Sequence, residues 1–348
     1  MVTFYELAEK VFELERIGRK IIKLNIGDTN LPTPKPAIDA AIKSIKETKS
    51  GYVSGAGINE FRQKIAEREN CDIDEVVVGP GSKHLIFALL NILAKKDESV
   101  TTPGPYWPAY QLACEQLGLK FHGIETGLEG NWQFDSHKMP DSKITVICNP
   151  LNPTSTVYTD QSIKNVIENA NKKGNHVILD EAYKELSFTK ISRYEGAIRV
   201  RSFSKEFNME GWRLGYAIAP KDIVKKIVKF NQITTTCVAP FVQMAGLSCL
   251  ENEEEIIRQN RNLWKARLEV AEKALTKNGF KFAKPQSGIY VFATRADITD
   301  SGEFALSCLE KGVAVSPGGG FGNYKKFIRI CVNQNEDLLN EAIEKMKI

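Results

Sequence analysis

The sequence predicts an α/β protein, with a large domain around a mostly parallel sheet flanked by helices and a second, smaller α/β domain. Three observations carry that expectation. Between about Val76 and Ala219, short apolar runs alternate with amphipathic helical patterns, as strand–helix–strand units require. Beyond Ala219 the pattern changes to long helical stretches and then returns to short strands. The chain of 348 residues, 42% hydrophobic and 26% charged, is long enough for two buried cores.

Taken in order, residues 4–17 form an amphipathic Glu/Lys/Leu stretch that reads as a helix. Val76-Val77-Val78, Ile144-Thr145-Val146-Ile147-Cys148, Val177-Ile178-Leu179-Asp180 and Ala197-Ile198-Arg199-Val200 are mostly β-branched and apolar without alternation, the pattern of strands buried on both faces. Between them, 82–93, 108–117 and 161–172 have helical periodicity. A long helical region is expected over 221–250 and another over 253–277, followed by strands near 289–292 and 327–331. No internal repeat or Pro/Gly/Ser-rich linker separates the halves.

Composition excludes several function classes. No apolar run reaches the roughly 18–20 residues of a membrane span, and Met1-Val2-Thr3 leads into the first helix without the basic, apolar and small-residue order of a leader. A cytoplasmic protein is expected. The 47 basic and 43 acidic residues are dispersed, so the net charge of +4 makes no concentrated footprint for nucleic acid. Seven cysteines, an odd number without a C-x-x-C pair, read as reduced core residues, and four scattered histidines offer no metal-ligand spacing.

The chemistry concentrates around Lys205. Ser202-Phe203-Ser204-Lys205 is followed by Arg213 in Gly211-Trp212-Arg213-Leu214-Gly215-Tyr216, which sets one amine beside hydroxyls and a guanidinium suited to a phosphate. A lysine-bound pyridoxal phosphate needs that grouping. Asp180 ends an apolar run, so its carboxylate belongs at the carboxyl end of a strand, the rim where open α/β sheets bind ligands. There it can keep a pyridine nitrogen protonated. Glu181 beside it should point the other way and serve structure. Gly79-Pro80-Gly81-Ser82-Lys83 joins a strand to a helix, and backbone N–H groups at that helix start can cradle a phosphate. The two Asn-Pro steps of Asn149-Pro150-Leu151-Asn152-Pro153-Thr154-Ser155 force an extended, turning backbone.

These segments jointly resemble class I and II pyridoxal-phosphate-dependent aminotransferases of fold-type I, over about Gly27 to Arg329 and in family order. The resemblance implies that Lys205 bonds the cofactor and moves the substrate's proton. It implies that Asp180 faces the ring nitrogen and that Tyr183 hydrogen-bonds the phenolic oxygen. Asn152 would touch both that oxygen and the substrate α-carboxylate, with Ser155 where the family has glycine. In Pro105-Tyr106-Trp107-Pro108, Trp107 is the best match for the aromatic residue that stacks on the pyridine; Tyr106 or Tyr110 packing in the core is the competing reading, and a register one residue off stays open.

Ser82, Lys83, Ser202, Ser204 and Arg213 match the phosphate cup, and Lys83 is equally a candidate for a substrate's distal carboxylate. Arg329, in Phe327-Ile328-Arg329-Ile330, would pair with the α-carboxylate, and the Ile26-Gly27 loop would close over substrate. Ser316-Pro317-Gly318-Gly319-Gly320-Phe321-Gly322 is similar to the family's Pro-Gly-x-x-Phe-Gly loop. Tyr52, in Tyr52-x-x-x-x-Gly57-x-x-x-Phe61-Arg62, would reach a neighbouring subunit's phosphate, which implies a homodimer with shared sites.

By the same resemblance, residues 1–43 and 251–348 form the small domain, and 44–250 form the large one around a seven-stranded type of sheet. The expected reaction is ping-pong amino transfer between an L-amino acid and a 2-oxo acid, with an aspartate or glutamate preference if Lys83 reaches a second carboxylate. A pyridoxal-phosphate lyase or decarboxylase, akin to histidinol-phosphate or threonine-phosphate enzymes, shares the scaffold and stays open as the alternative. A transcription regulator would need a DNA-binding domain, for which residues 1–27 are too few.

Overall fold

The computed structural model describes residues 4–47 and 51–347, so Met1, Val2 and Thr3 lie outside the described residues. In chain order the helices are α1 (Phe4–Arg16), α2 (Lys35–Lys46), α3 (Asn59–Glu69), α4 (Ser82–Leu93), α5 (Ala109–Leu117), α6 (Asp160–Lys172), α7 (Phe203–Glu206), α8 (Lys221–Thr234), α9 (Pro240–Glu251), α10 (Glu253–Lys277), α11 (Ser301–Glu310) and α12 (Glu336–Lys345). The strands are β1 (Ile22–Lys23), β2 (Val76–Gly79), β3 (Ser99–Pro103), β4 (Lys120–Ile124), β5 (Ile144–Cys148), β6 (His176–Asp180), β7 (Ile198–Ser202), β8 (Gly215–Ile218), β9 (Lys281–Phe282), β10 (Tyr290–Thr294), β11 (Val313–Ala314), β12 (Ser316–Pro317) and β13 (Phe327–Cys331).

Seven strands make the central sheet in the order β2-β8-β7-β6-β5-β3-β4. Only β8 runs against its neighbours, so the other six point the same way. All residues of β2, β5, β7 and β8 are buried, as helices on both faces require. The edge strand β4 carries Lys120 and His122 and is largely exposed. Its polar composition hid it from the apolar-run criterion. Two buried threonines, Thr101 and Thr102, did the same for β3.

The helical stretch expected over 221–250 is two helices. α8 stops at Thr234, where the N–H groups of Thr235 and Thr236 both turn back to the Asn231 carbonyl, and Thr236 takes a φ of 62°. Pro240 then opens α9, a position where its missing N–H costs no helical hydrogen bond.

The chain ends meet. Near the start, β1 pairs in parallel with β11, and β12-β13-β10-β9 form a separate antiparallel sheet. Leu7, Val11 and Leu24 share one apolar cluster with Trp264, Leu268, Ile330 and Leu339. Ala37 and Ala41 of α2 pack instead with Phe61, Val242 and Ala245, against the central sheet's side of the molecule.

Register lines up one rim of the central sheet. Gly79 pairs with Gly215, Gly215 with Ser202, and Cys148 with Asp180. The carboxyl ends of β2, β7, β6 and β5 therefore lie side by side, and each leads into a segment singled out by its residue types. Ligands of open α/β sheets bind at this rim.

Candidate active site

Above the rim lies a cavity of about 900 Å³ lined by Gly27, Ser82, Lys83, Trp107, Asn152, Asp180, Tyr183, Ser202, Ser204, Lys205, Arg213 and Arg329. Those twelve expected residues, scattered over three hundred positions, meet in one space. Tyr52 does not line it and is 90% exposed.

Lys205 is carried by α7, a single turn directly after β7. Ser202 caps that turn by accepting the Ser204 N–H at 3.2 Å. Burial lowers the Lys205 amine below the ordinary lysine range, while the carboxylates of Glu210 and Asp28 oppose the shift. On the neighbouring strand, Asp180 is 3% exposed. Its Oδ2 accepts the Tyr110 hydroxyl at 2.6 Å and its Oδ1 accepts the Ala182 N–H at 3.2 Å. Burial pushes the carboxyl up to about 6 against those two hydrogen bonds, and the Glu181 carboxylate adds to the rise. Glu181 itself turns away from the cavity, 2.7 Å from Lys184 and 3.5 Å from Arg201.

Asn152 and Arg329 face each other, the guanidinium donating to Asn152 Oδ1 at 3.1 Å and to the Asn25 carbonyl at 2.6 Å. Only 2% of Arg329 is exposed, and it is sandwiched between the rings of Tyr290 at 4.3 Å and Phe321 at 4.9 Å. The Tyr183 and Tyr290 hydroxyls are 3.0 Å apart. Gly27 runs so close to Tyr290 that an added Cβ would fall 1.9 Å from its hydroxyl, which excludes any other residue there without rearrangement.

Ser155 has a φ of 57°, the left-handed conformation that favours glycine. Its side chain offsets part of that strain, since Oγ accepts the Tyr290 N–H at 3.2 Å and so ties the loop to β10.

At the other end, Gly81 has a φ of 86° and caps α4, the Ser82–Leu93 helix. The Arg213 guanidinium covers it, so an added Cβ would meet Arg213 Nη2 at 2.7 Å. Arg213 is steadied by donating to the Glu210 carbonyl at 2.7 Å. Lys83 Nζ sits 5.0 Å over the Trp107 ring, and burial, with Arg213 nearby, lowers its pKa. Trp107 lines the cavity and packs edge-on against Tyr110 with centroids 5.6 Å apart. Tyr106 turns to Gln111 and Phe121, outside the cavity, which favours Trp107 as the ring facing it.

Three cavity neighbours escaped the reading of sequence. Tyr110 reads from sequence as a core residue, yet its hydroxyl holds Asp180. Tyr290 gave no signal beyond its apolar run. Glu210, a lone acid five residues after Lys205, was the one visible cue: its Oε1 lies 3.5 Å from Lys205 Nζ. Among the described residues no group of three or more His, Cys, Asp or Glu could hold a metal.

A seven-stranded, mostly parallel sheet with a lysine turn and a carboxylate on adjacent strand ends defines the fold-type I class of pyridoxal-phosphate enzymes. The family model for aminotransferase class I and II matches residues 19–346, and the chain belongs to that family. The aspartate aminotransferase of Thermococcus kodakarensis is 36% identical over 337 residues, covering 96% of this chain and 89% of that protein. The aspartate aminotransferase of Geobacillus stearothermophilus is 29% identical over 370 residues, covering 98% and 94%. The structure of aspartate aminotransferase from Thermus thermophilus with maleate superposes with a TM-score of 0.94 at 26% identity, covering 99% of this chain and 96% of that one. The chain is an aminotransferase, and these relatives do not favour the lyase or decarboxylase alternative.

Proposed function

We propose that the chain carries pyridoxal phosphate on Lys205 and transfers the amino group of a dicarboxylic L-amino acid, such as aspartate, to a 2-oxo acid. The observation that carries this reading is the single cavity in which Lys205, Asp180, Asn152, Arg213 and Arg329 converge. The residues present suit the cofactor. The cradle left by the absent Cβ of Gly81, with Ser82, Ser202, Ser204 and Arg213 around it, suits a phosphate. Asp180 suits a pyridine nitrogen, Tyr183 and Asn152 a phenolic oxygen, and Trp107 a flat ring. When bound, pyridoxal phosphate supplies an electron sink for charge developing at the substrate's Cα.

The protein's residues do the rest. Arg329 forms a bidentate pair with the α-carboxylate and thereby orients Cα. The Lys205 amine, whose charged form burial disfavours, would act as the base that takes the proton from the substrate's Cα. Asp180 would hold a proton at the cofactor's ring nitrogen, and Tyr110 and the Ala182 N–H hold Asp180. Loop 27–33 excludes water over the reacting atoms.

The dicarboxylic preference rests on Lys83, whose ammonium stands over Trp107 at the cavity wall, and on likeness to enzymes named for aspartate, one of them with maleate, a dicarboxylate. A homodimer belongs to the same reading. It is supported by the exposure of Tyr52 and by exposed Ile38, Ile42 and Ile45 along one stripe of α2. So does a division into a large part and a smaller one made from both chain ends, with the expected boundary at residue 43 moved ahead of α2, because Ala37 and Ala41 bury against α9. Seven free cysteines favour a reducing, cytoplasmic location.

The test is to give the loaded protein single amino acids and follow the cofactor spectrum and the products. Conversion to the pyridoxamine form with release of a 2-oxo acid, fastest for aspartate or glutamate, is expected. Fastest conversion with an apolar amino acid would overturn the dicarboxylic preference, and carbon dioxide release with retention of the aldehyde would overturn amino transfer.

A further inference from the structure

The loop that borders the cavity near Lys205 is tied down at a point that the reaction chemistry above leaves unexplained. Thr29, fully buried, donates its backbone N–H to Glu210 Oε1 at 2.6 Å. The same oxygen lies 3.5 Å from Lys205 Nζ. One carboxylate oxygen therefore serves both the loop and the lysine.

The loop's other ties to this segment run through Thr33. Its hydroxyl donates to the Asn208 carbonyl at 3.3 Å and accepts the Trp212 indole N–H at 2.9 Å. Those bonds are made whatever the charge at Lys205. The Thr29 bond is different, because its acceptor is a carboxylate oxygen 3.5 Å from the amine that holds the cofactor in the reading above.

We propose that Glu210 is a positioning residue that couples Lys205 to loop 27–33, holding the Thr29 N–H and the lysine nitrogen on one carboxylate so that the loop stays seated while the lysine end carries positive charge. When that charge leaves, the carboxylate loses one of its two partners and becomes easier to solvate, and the loop's hold weakens. Substrate entry and lysine release are thereby linked.

Other groups face the same amine. Asp28 comes from the loop itself and Cys331 from β13, with Arg213 and Arg329 also lining the cavity. Burial keeps Cys331 a neutral thiol, its pKa pushed up to about 12. Asp28 is thus the other carboxylate that favours a charged lysine.

The coupling rests on Lys205 being the cofactor lysine, but the loop half does not, and the experiment separates the two. Glu210→Gln keeps an acceptor oxygen for Thr29 and removes the charge. Glu210→Ala removes both. In the holoenzyme, the pH at which the bound cofactor's absorbance changes should fall by about one unit in Glu210→Gln, as loss of a near carboxylate predicts. Hydrogen exchange of the peptide spanning residues 26–33 should stay near the parent rate in that variant at a pH where the lysine end is uncharged, and rise about tenfold or more in Glu210→Ala.

Both outcomes together support the coupling. An unmoved spectral titration in Glu210→Gln with Lys205 carrying the cofactor overturns the charge link, and unmoved exchange in Glu210→Ala overturns the loop tie. Should borohydride label another lysine, the functional reading fails first, and the exchange result still decides the role of Glu210 in the loop.

Discussion

Asp180 states the cost of the site in the protein's own stability. Its carboxyl is pushed up to about 6 by burial, above the roughly 3.9 of an exposed aspartate. The folded form therefore binds the proton more tightly than the unfolded one. Cofactor-free protein gains stability as pH falls through 6 toward 4 and loses it as pH rises through that window, by at most about 3 kcal/mol. Asp180→Asn should then resist urea better than the parent at pH 8, both stripped of cofactor, with the gap closing near pH 4. The same variant should lose roughly a hundredfold or more in turnover. A stability gap equal at both pH values would contradict the burial argument. Lys83 carries the prediction on specificity. Lys83→Met keeps the aliphatic stem over Trp107 but removes the charge, and should lower kcat/KM for dicarboxylic substrates roughly tenfold or more while sparing apolar ones. Equal losses for both classes would assign Lys83 to the phosphate or the helix start.

The element that matters most is the single turn α7, and a buried ionic cluster fixes it from beneath. Arg201 precedes Ser202, Glu206 follows Lys205, and Arg201 reaches Glu185 at 2.5 Å, Glu206 at 3.3 Å and Glu181 at 3.5 Å. Arg68 from α3 adds contacts to Glu206 and Glu253, and Arg199 to Glu69 at 2.6 Å. Such clusters need not exceed an apolar core in stability, but removing one member strands the others. Arg201→Met should cost roughly 3–5 kcal/mol in urea unfolding; a loss below about 1 kcal/mol would show that the cluster does not hold the turn. How far such elements were legible depended on where their information lies. The runs Val76-Val77-Val78 and Ile144–Cys148 announced buried strands because both faces are covered. Lys120–Ile124 was hidden because an edge strand can be polar, and Gly215–Ile218 because it is short and begins on glycine. Segments at the sheet rim were readable because each carries several chemical residue types in a row. The Tyr110–Asp180 and Glu210–Thr29 bonds were not, since each joins residues far apart in the chain through tertiary packing alone.

At the scale of the whole molecule, the chain provides twelve of the thirteen expected site residues in its cavity and leaves Tyr52 outside. The isoleucine stripe of α2 adds exposed apolar surface, which monomers seldom keep in a row without a partner. Mixed dimers of Lys205→Ala with Tyr52→Ala should recover part of the activity that each lacks alone, because one site of the two would then combine an intact Lys205 and Arg213 with an intact Tyr52 from the other chain. Verified heterodimers without recovery would argue for self-contained subunits. All of this turns on a single residue. Borohydride reduction of the holoenzyme followed by peptide mapping measures it most directly: the account predicts the cofactor fixed to Lys205 and to no other lysine, and a label elsewhere, or none, would contradict it.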